Sequence, residues 1–350
     1  MNFMDVKPPK IEKALVCICI PTFNAENTIV ETLNSLLSQT YQKINFIVVD
    51  NCSTDDTLNL VNAFDDKRLT IVKNSHNLGS EGNFTKCIEL SQGAYTGIYH
   101  ADDIYEPTMV EEQVKFLESH PAANAVLTEA LTIDELGHIT GSLSLPAQIR
   151  KNAPIFTFDE IFKAVLKHSN FLICPSAMVK TEIYKKEIQS WRGSLFNTSA
   201  DLDVWFRILL LGPIGILPKK LMRYRISGQQ GSASVRLNFE RADFFKVIDF
   251  YLTQNRIKEA LTSQDQRNYL SLERRDLAMR SVNLFILGNK EAVIKLCPPL
   301  LNGDIWLDAF RGKRGLGVLI AVLGLRMMPM MGLGGVASSF FKKAKSIFKK

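Results

Sequence analysis

The sequence predicts an α/β fold built on a mostly parallel sheet and followed by a helical region. Three observations predict it. Four short runs (residues 14–20, 44–49, 69–72 and 95–99) read as strands, and the first is continuously apolar, as a strand buried on both faces requires. Segments of helical period stand between them, and this alternation implies parallel strands covered by helices on both faces. From about residue 236 to 300 the strand signal is lost, and charged and apolar positions interleave at helical spacing throughout.

Each element has its own reason. The first run is followed by Ile29, Leu33, Leu36 and Leu37 at helical spacing. The second ends in Asp50-Asn51-Cys52-Ser53. Ser53 is placed to cap a helix with Asp55 and Asp56 in its first turn, where negative charge suits the helix dipole. After the third run, Phe84, Cys87 and Ile88 mark a helix face. The fourth leads directly into His100-Ala101-Asp102-Asp103, and Pro107 fits the first turn of the next helix. Residues 124–133 read as a strand before a turn at Glu135-Leu136-Gly137. Thr157 and Glu160 form a capping box that opens a helix to about Lys167. Residues 200–211 form a helix stopped by Gly212-Pro213, and 221–226 a further strand.

A chain of 350 residues, 46% hydrophobic and 22% charged, can build one large core with a smaller unit, or two domains. Six cysteines without a C-x-x-C pair supply neither a zinc framework nor a disulfide scaffold; Cys17 and Cys19 share one strand face and read as packing. The first residues contain no apolar stretch of signal-peptide length, so a cytosolic chain is expected. The formal charge is +6, but five lysines fall in the last nine residues and the rest of the chain carries only +1. That excludes a basic nucleic-acid-binding body. Residues 316–341 are strongly apolar, interrupted by Arg326 and Pro329, with Arg311, Lys313 and Arg314 before them and the lysines after. A spanning helix needs about 20 apolar residues without a central charge. The expectation is a segment lying on the anionic inner face of the cell membrane, with a packed helix pair and a span as the other readings.

In parallel sheets ligands bind outside the carboxyl ends of the strands, and Asp50 and Asp102 both fall there. Adjacent carboxylates at Asp102 and Asp103 suit a hard divalent cation such as Mg²⁺ or Mn²⁺, or else a solvated turn. Asp50 suits either a loop cap or an acceptor for a nucleotide base N–H. Asp201 and Asp203 open the 200–211 helix, as caps or as a general base.

Six motifs in order resemble family two glycosyltransferases, covering about residues 14–234. Pro21-Thr22-Phe23-Asn24-Ala25-Glu26 is similar to the family's opening after its first strand. Residues 48–57 resemble its Val-Val-Asp segment, and Asn77-Leu78-Gly79 its Asn-x-Gly step. Gly93-Ala94-Tyr95 with Ala101-Asp102-Asp103 resembles its metal motif. Residues 200–207 are similar to its acidic helix with Trp205 and Arg207, and Tyr224-Arg225 to the pair before its flexible loop.

The resemblance implies the nucleotide-diphospho-sugar transferase (GT-A) fold and a single in-line displacement with inversion. Pro21, Thr22, Asn24, Glu26, Asn77 and Gly79 would line the nucleotide-sugar pocket, and Asp50 would accept N3–H of uracil or thymine, favouring UDP- or dTDP-sugars. Asp102, with Asp103, would hold Mn²⁺ or Mg²⁺ on the diphosphate. Asp201 would deprotonate the hydroxyl of a glycan or lipid-linked acceptor in cell-surface polysaccharide or glycolipid synthesis. The expected division is a catalytic domain over 1–235, a helical region over 236–312 and a membrane-associating tail over 313–350. Departures from the family pattern stand at His100, where a first Asp is usual, at Ala200, where Glu is frequent, and in the 226–232 loop, which lacks a frequent His. His100 and Ala200 favour the alternative of a non-catalytic nucleotide-sugar-binding module within a membrane assembly. A nucleotidyltransferase would need a Gly-rich basic loop, which residues 21–27 are not.

Overall fold

The computed structural model describes residues 13–150, 154–227, 240–299, 303–310 and 313–330. The lysine-rich end and most of the 226–232 loop lie outside the described residues. Two compact units share the chain by interleaving. One takes Met1–Phe158, Leu172–Arg192 and Val204–Ile226; the other takes Asp159–Phe171, Gly193–Asp203 and Ser227–Lys350. The single cut expected near residue 235 is therefore replaced by several crossings, and no division falls at residue 313.

The first unit carries the strands β1 (Val16–Thr22), β2 (Ile44–Asp50), β3 (Leu69–Lys73), β4 (Tyr95–Ile98) and β5 (Ile104–Tyr105). It continues with β6 (Ala125–Ile133), β7 (Ile139–Leu143), β8 (Ile155–Phe156), β9 (Met178–Lys180) and β10 (Ile214–Arg225). They form one sheet in the order β3-β2-β1-β4-β9-β6-β10-β5, with β7 on β6 and β8 on β10. The long ladders are parallel: β1 with β2 and β4, β2 with β3, and β6 with β10. Every residue from Val16 to Ile20 is buried, so β1 has no solvent face, as its continuous apolar run requires.

Helices follow the strands: α1 (Ile29–Leu37), α2 (Thr57–Asn62), α3 (Gly79–Leu90) and α4 (Met109–Ser119). α1 buries Ile29, Thr32, Leu33 and Leu36, one stripe at helical spacing. α4 adds Met109, Val110, Val114, Phe116 and Leu117 to the same core as Ile18, Ile20, Phe46 and Val48. Each such aliphatic side chain contributes about 1.5–3 kcal/mol on burial. The Ser53 cap is not formed. α2 begins one turn later, after Asp56, and the Ser53 hydroxyl accepts instead from Asn24 N at 3.0 Å. The 221–226 strand is the end of the longer β10, which starts immediately after the Gly212-Pro213 stop.

The helices α5 (Phe158–His168), α6 (Gly193–Phe196) and α7 (Ala200–Leu211) follow, and the first turn of α7, to Asp203, counts with the second unit. That unit continues with α8 (Asp243–Leu252), α9 (Asn255–Glu259), α10 (Ser263–Ile286), α11 (Lys290–Leu296), α12 (Gly303–Phe310) and α13 (Lys313–Met330). α10 opens on a capping box between Thr262 and Asp265. Its Ala278, Val282 and Phe285 pack with Val293, Ile305, Val318, Leu319, Val322 and Leu325. Val318, Leu319, Ala321, Val322 and Leu325, in the stretch expected to meet a membrane, thus lie inside a helical core. α12 and α13 approach closely at Gly315, where an added Cβ would stand 1.9 Å from Asp308 O. Among the described residues, no helix is long and apolar enough to cross a membrane.

Candidate nucleotide-sugar and metal site

Two loops leave the carboxyl ends of neighbouring strands, where Thr22 pairs in register with Asp50. They are laced together. Asn24 Oδ1 accepts from Thr54 N at 2.8 Å, and Ala25 N donates to Thr57 Oγ1 at 2.8 Å. Glu26 N donates to Asp55 Oδ2 at 3.1 Å while Asp56 N donates to Glu26 Oε2 at 3.0 Å. Asn24 takes a left-handed backbone at φ 47° and Cys52 at φ 65°. Asn24 and Glu26, expected to line a pocket, therefore act at least as a brace. Thr22 is buried and donates to Ile20 O.

Asp50 is fully buried, and both its carboxylate oxygens lie 3.3 Å from Ser53 N. Beside it Asn51 is a hub. Its amide donates to Asn77 Oδ1 at 2.8 Å and to Gly79 O at 3.1 Å, and its Oδ1 accepts from Leu78 N and Asn74 Nδ2. Asn77 Oδ1 also accepts from Gly79 N, and Gly79 stands at φ 73°, a conformation that favours glycine. The Asn77-Leu78-Gly79 step is thus tied to the loop that carries Asp50.

The turn after β4 brings His100, Asp102 and Asp103 together, with one ligand atom from each within 4.8 Å of the others. Asp103 is fully buried; its Oδ1 accepts from Arg225 N at 2.8 Å and its Oδ2 lies 3.9 Å from His100 Nδ1. Burial and the neighbouring Asp102 push the Asp103 carboxyl well above the usual range, while burial depresses His100. His100 Nε2 and Asp103 Oδ2 are buried without a hydrogen-bond partner. Orphaned acceptors and two crowded acids are what a divalent cation would satisfy, so the donor set fits the expected Mn²⁺ or Mg²⁺. Phe84 meets the His100 ring edge-on at 5.5 Å and is itself backed by Trp191 at 4.5 Å.

This turn is gripped from two sides. Thr28 and Thr32 on or before α1 donate to Ala101 O, and Thr32 also to Asp103 O at 2.8 Å. Arg225, the buried last residue of β10, donates to Asp102 O at 2.8 Å and to Asp134 O and Glu135 O at 3.1 Å, and pairs with Glu31. In the sequence Arg225 stands out only as a marker of the loop after it, and Asn51 carries no role of its own. The available signals were a charged residue ending an apolar strand and an amide next to a strand-end acid.

The second unit holds Asp201 and Asp203. Asp203 is fully buried, and Tyr251 donates to its Oδ1 at 2.9 Å. Asp201 is half-buried and accepts from Asn170 Nδ2 at 3.4 Å; loss of water pushes its carboxyl up to about 6. The two acids have separate surroundings, as their spacing on one helix requires.

The family model described as Glycosyl transferase family 2 matches residues 17–187. An Escherichia coli protein named UDP-Glc:alpha-D-GlcNAc-diphosphoundecaprenol beta-1,3-glucosyltransferase WfaP is 32% identical over 139 residues, 40% of this chain and 55% of that one. The chain thus matches about half of that relative's length. Among solved structures, S. aureus TarS 1-349 in complex with UDP superposes with a TM-score of 0.51 at 18% identity, covering 91% of this chain and 92% of the other. Mannosyltransferase PcManGT from Pyrobaculum calidifontis, in complex with GDP-Man and Mn²⁺, gives 0.51 at 16% identity, covering 99% and 90%. The chain has the GT-A type of fold.

Proposed function

This chain belongs to glycosyl transferase family 2, and from that premise we propose that it moves a sugar from a UDP- or dTDP-sugar to an acceptor hydroxyl, with inversion at the anomeric carbon. The observation that carries the reading is the His100, Asp102 and Asp103 group in the turn after β4, held against the first turn of α1 by Thr28 and Thr32. A divalent cation bound there would neutralise charge gathering on the diphosphate leaving group. Asp50 would take the N3–H of uracil or thymine, and cytosine lacks that donor. Asp102 and Asp103 would hold the cation, and the Asn51, Asn77 and Gly79 network would keep the pocket wall in shape.

A sugar hydroxyl is a weak nucleophile near neutral pH, and a positioned carboxylate helps by roughly 10²–10⁴-fold. Asp201 would be that base. Its carboxyl, pushed up to about 6, is ionised near pH 7 yet basic enough to accept a proton. A lipid-linked acceptor is supported by the name of the Escherichia coli relative, which includes a GlcNAc-diphosphoundecaprenol, and our reading puts that acceptor at the inner face of the cell membrane. The test is calorimetry of the full chain with UDP-, dTDP-, GDP- and CDP-sugars, with Mn²⁺, with Mg²⁺ and with chelator. Tight, metal-dependent binding of UDP- or dTDP-sugars is expected. A preference for GDP- or CDP-sugars would sink the Asp50 assignment, and binding without donor turnover on any acceptor would leave a non-catalytic module.

A further inference from the structure

α12 and α13 carry more apolar surface than the helical core takes up. On α12 Trp306, Leu307 and Phe310 are exposed, Phe310 at 87%. Trp306 and Phe310 stand one turn apart, on the side away from Asp304 and Asp308. Those two acids both reach Arg274 of α10, Asp308 at 2.6 Å and Asp304 at 3.6 Å, so their charge is answered on that side. On α13 the residues that enter the core leave a second stripe, Leu316, Ile320 and Met327, at spacings of four and seven residues. Leu316, Ile320 and Met327 of this stripe are exposed. The close approach at Gly315 fixes where the helices cross, immediately before Leu316 and between Leu307 and Phe310 on the partner helix. From the end of α12 into the first turn of α13 the sequence supplies Arg311, Lys313 and Arg314, with no acid.

We propose that this α12–α13 face is an interfacial docking surface for an anionic lipid bilayer, lying on the membrane rather than passing through it. Bulky apolar and indole side chains next in sequence to a run of basic residues match the boundary between acyl chains and negative headgroups. A second copy of the chain would bring the same basic residues against themselves. The proposal deepens the membrane placement given above and rests on it for the source of the lipid.

The test uses the full chain with vesicles of phosphatidylcholine, with and without phosphatidylglycerol, in which some acyl chains are brominated. The chain is expected to float with the anionic vesicles only. Brominated chains should quench a part of the tryptophan fluorescence that is missing in Trp306→Phe. Leu307→Ser combined with Phe310→Ser should reduce flotation about tenfold or more, with UDP affinity and thermal melting unchanged. Lys313→Gln with Arg314→Gln should weaken vesicle binding by roughly fivefold per charge. Flotation of the Leu307 and Phe310 double variant equal to the parent, or no quenching assignable to Trp306, overturns the proposal. So does a parent dimer that the double variant converts to monomer, which would make the face a contact between copies. UDP-sugar binding on the same samples separates the readings: its absence would sink the donor assignment and leave vesicle docking standing.

Discussion

On an α-helix, positions two apart point about 200° away from each other. Asp201 and Asp203 show the consequence, one half-buried with a raised carboxyl and the other sealed against Tyr251. Asp201→Asn should leave UDP-sugar and metal binding intact and lower kcat by roughly 10²-fold or more, because an amide accepts no proton. In the parent enzyme kcat/KM should fall as pH drops through about 6, since protonation removes the base. A pH profile checks both, and an acidic limb that persists in Asp201→Asn would place the base elsewhere. Tyr251→Phe should instead cost about 1–3 kcal/mol of stability, the range for an unpaired buried group, with kcat unchanged; denaturant melts decide it. At the donor site, Asp102→Ala should abolish metal-dependent UDP binding in calorimetry, while Asp50→Ala should weaken UDP binding by about 1–3 kcal/mol with or without metal. The strand-end places of Asp50, Asp102 and Asp103 were legible because acids stand out against apolar runs. The partners of Asn24 and Glu26 were not, because hydrogen bonds across 29 or 30 residues leave no local pattern.

Among the elements, β10 shows how a strand can serve a site beyond its own ladder. Its last residue, Arg225, holds three backbone carbonyls and Glu31 while its N–H meets Asp103. Arg225→Met should destabilise the protein by about 2–3 kcal/mol, a moderate figure because Glu31 is half exposed. It should also weaken Mn²⁺ binding about tenfold while metal-free UDP binding stays unchanged. Arg225→Lys keeps the charge but not the planar fork, so it should restore stability only in part. Thermal melting and metal titration monitor the two effects. Long elements with a clean period, such as α1, β1 and β2, were legible from the sequence. β9 was not, because three residues carry no period and its place between β4 and β6 is set by tertiary pairing.

For the molecule as a whole, the helical unit changes what truncation should do. A chain ending at residue 312 loses Val318, Leu319, Val322 and Leu325 and should melt well below the parent. A chain ending at residue 330 keeps every core contact named above and should melt like it; calorimetric scans of the two distinguish the cases. An apolar run with an arginine in it is ambiguous in sequence, since a buried helix face and a membrane face use the same residues. The order of the sheet has a further consequence, for synthesis. β4 is made early, yet its neighbour on one side is β9, which follows about 80 residues later. At ribosomal speed the nascent sheet therefore presents an open edge at β4 for roughly 4–16 s. During that interval the growing chain is open to pairing with any other unpaired strand, so the yield of folded protein should respond to elongation rate and chaperone supply more than its final stability would suggest.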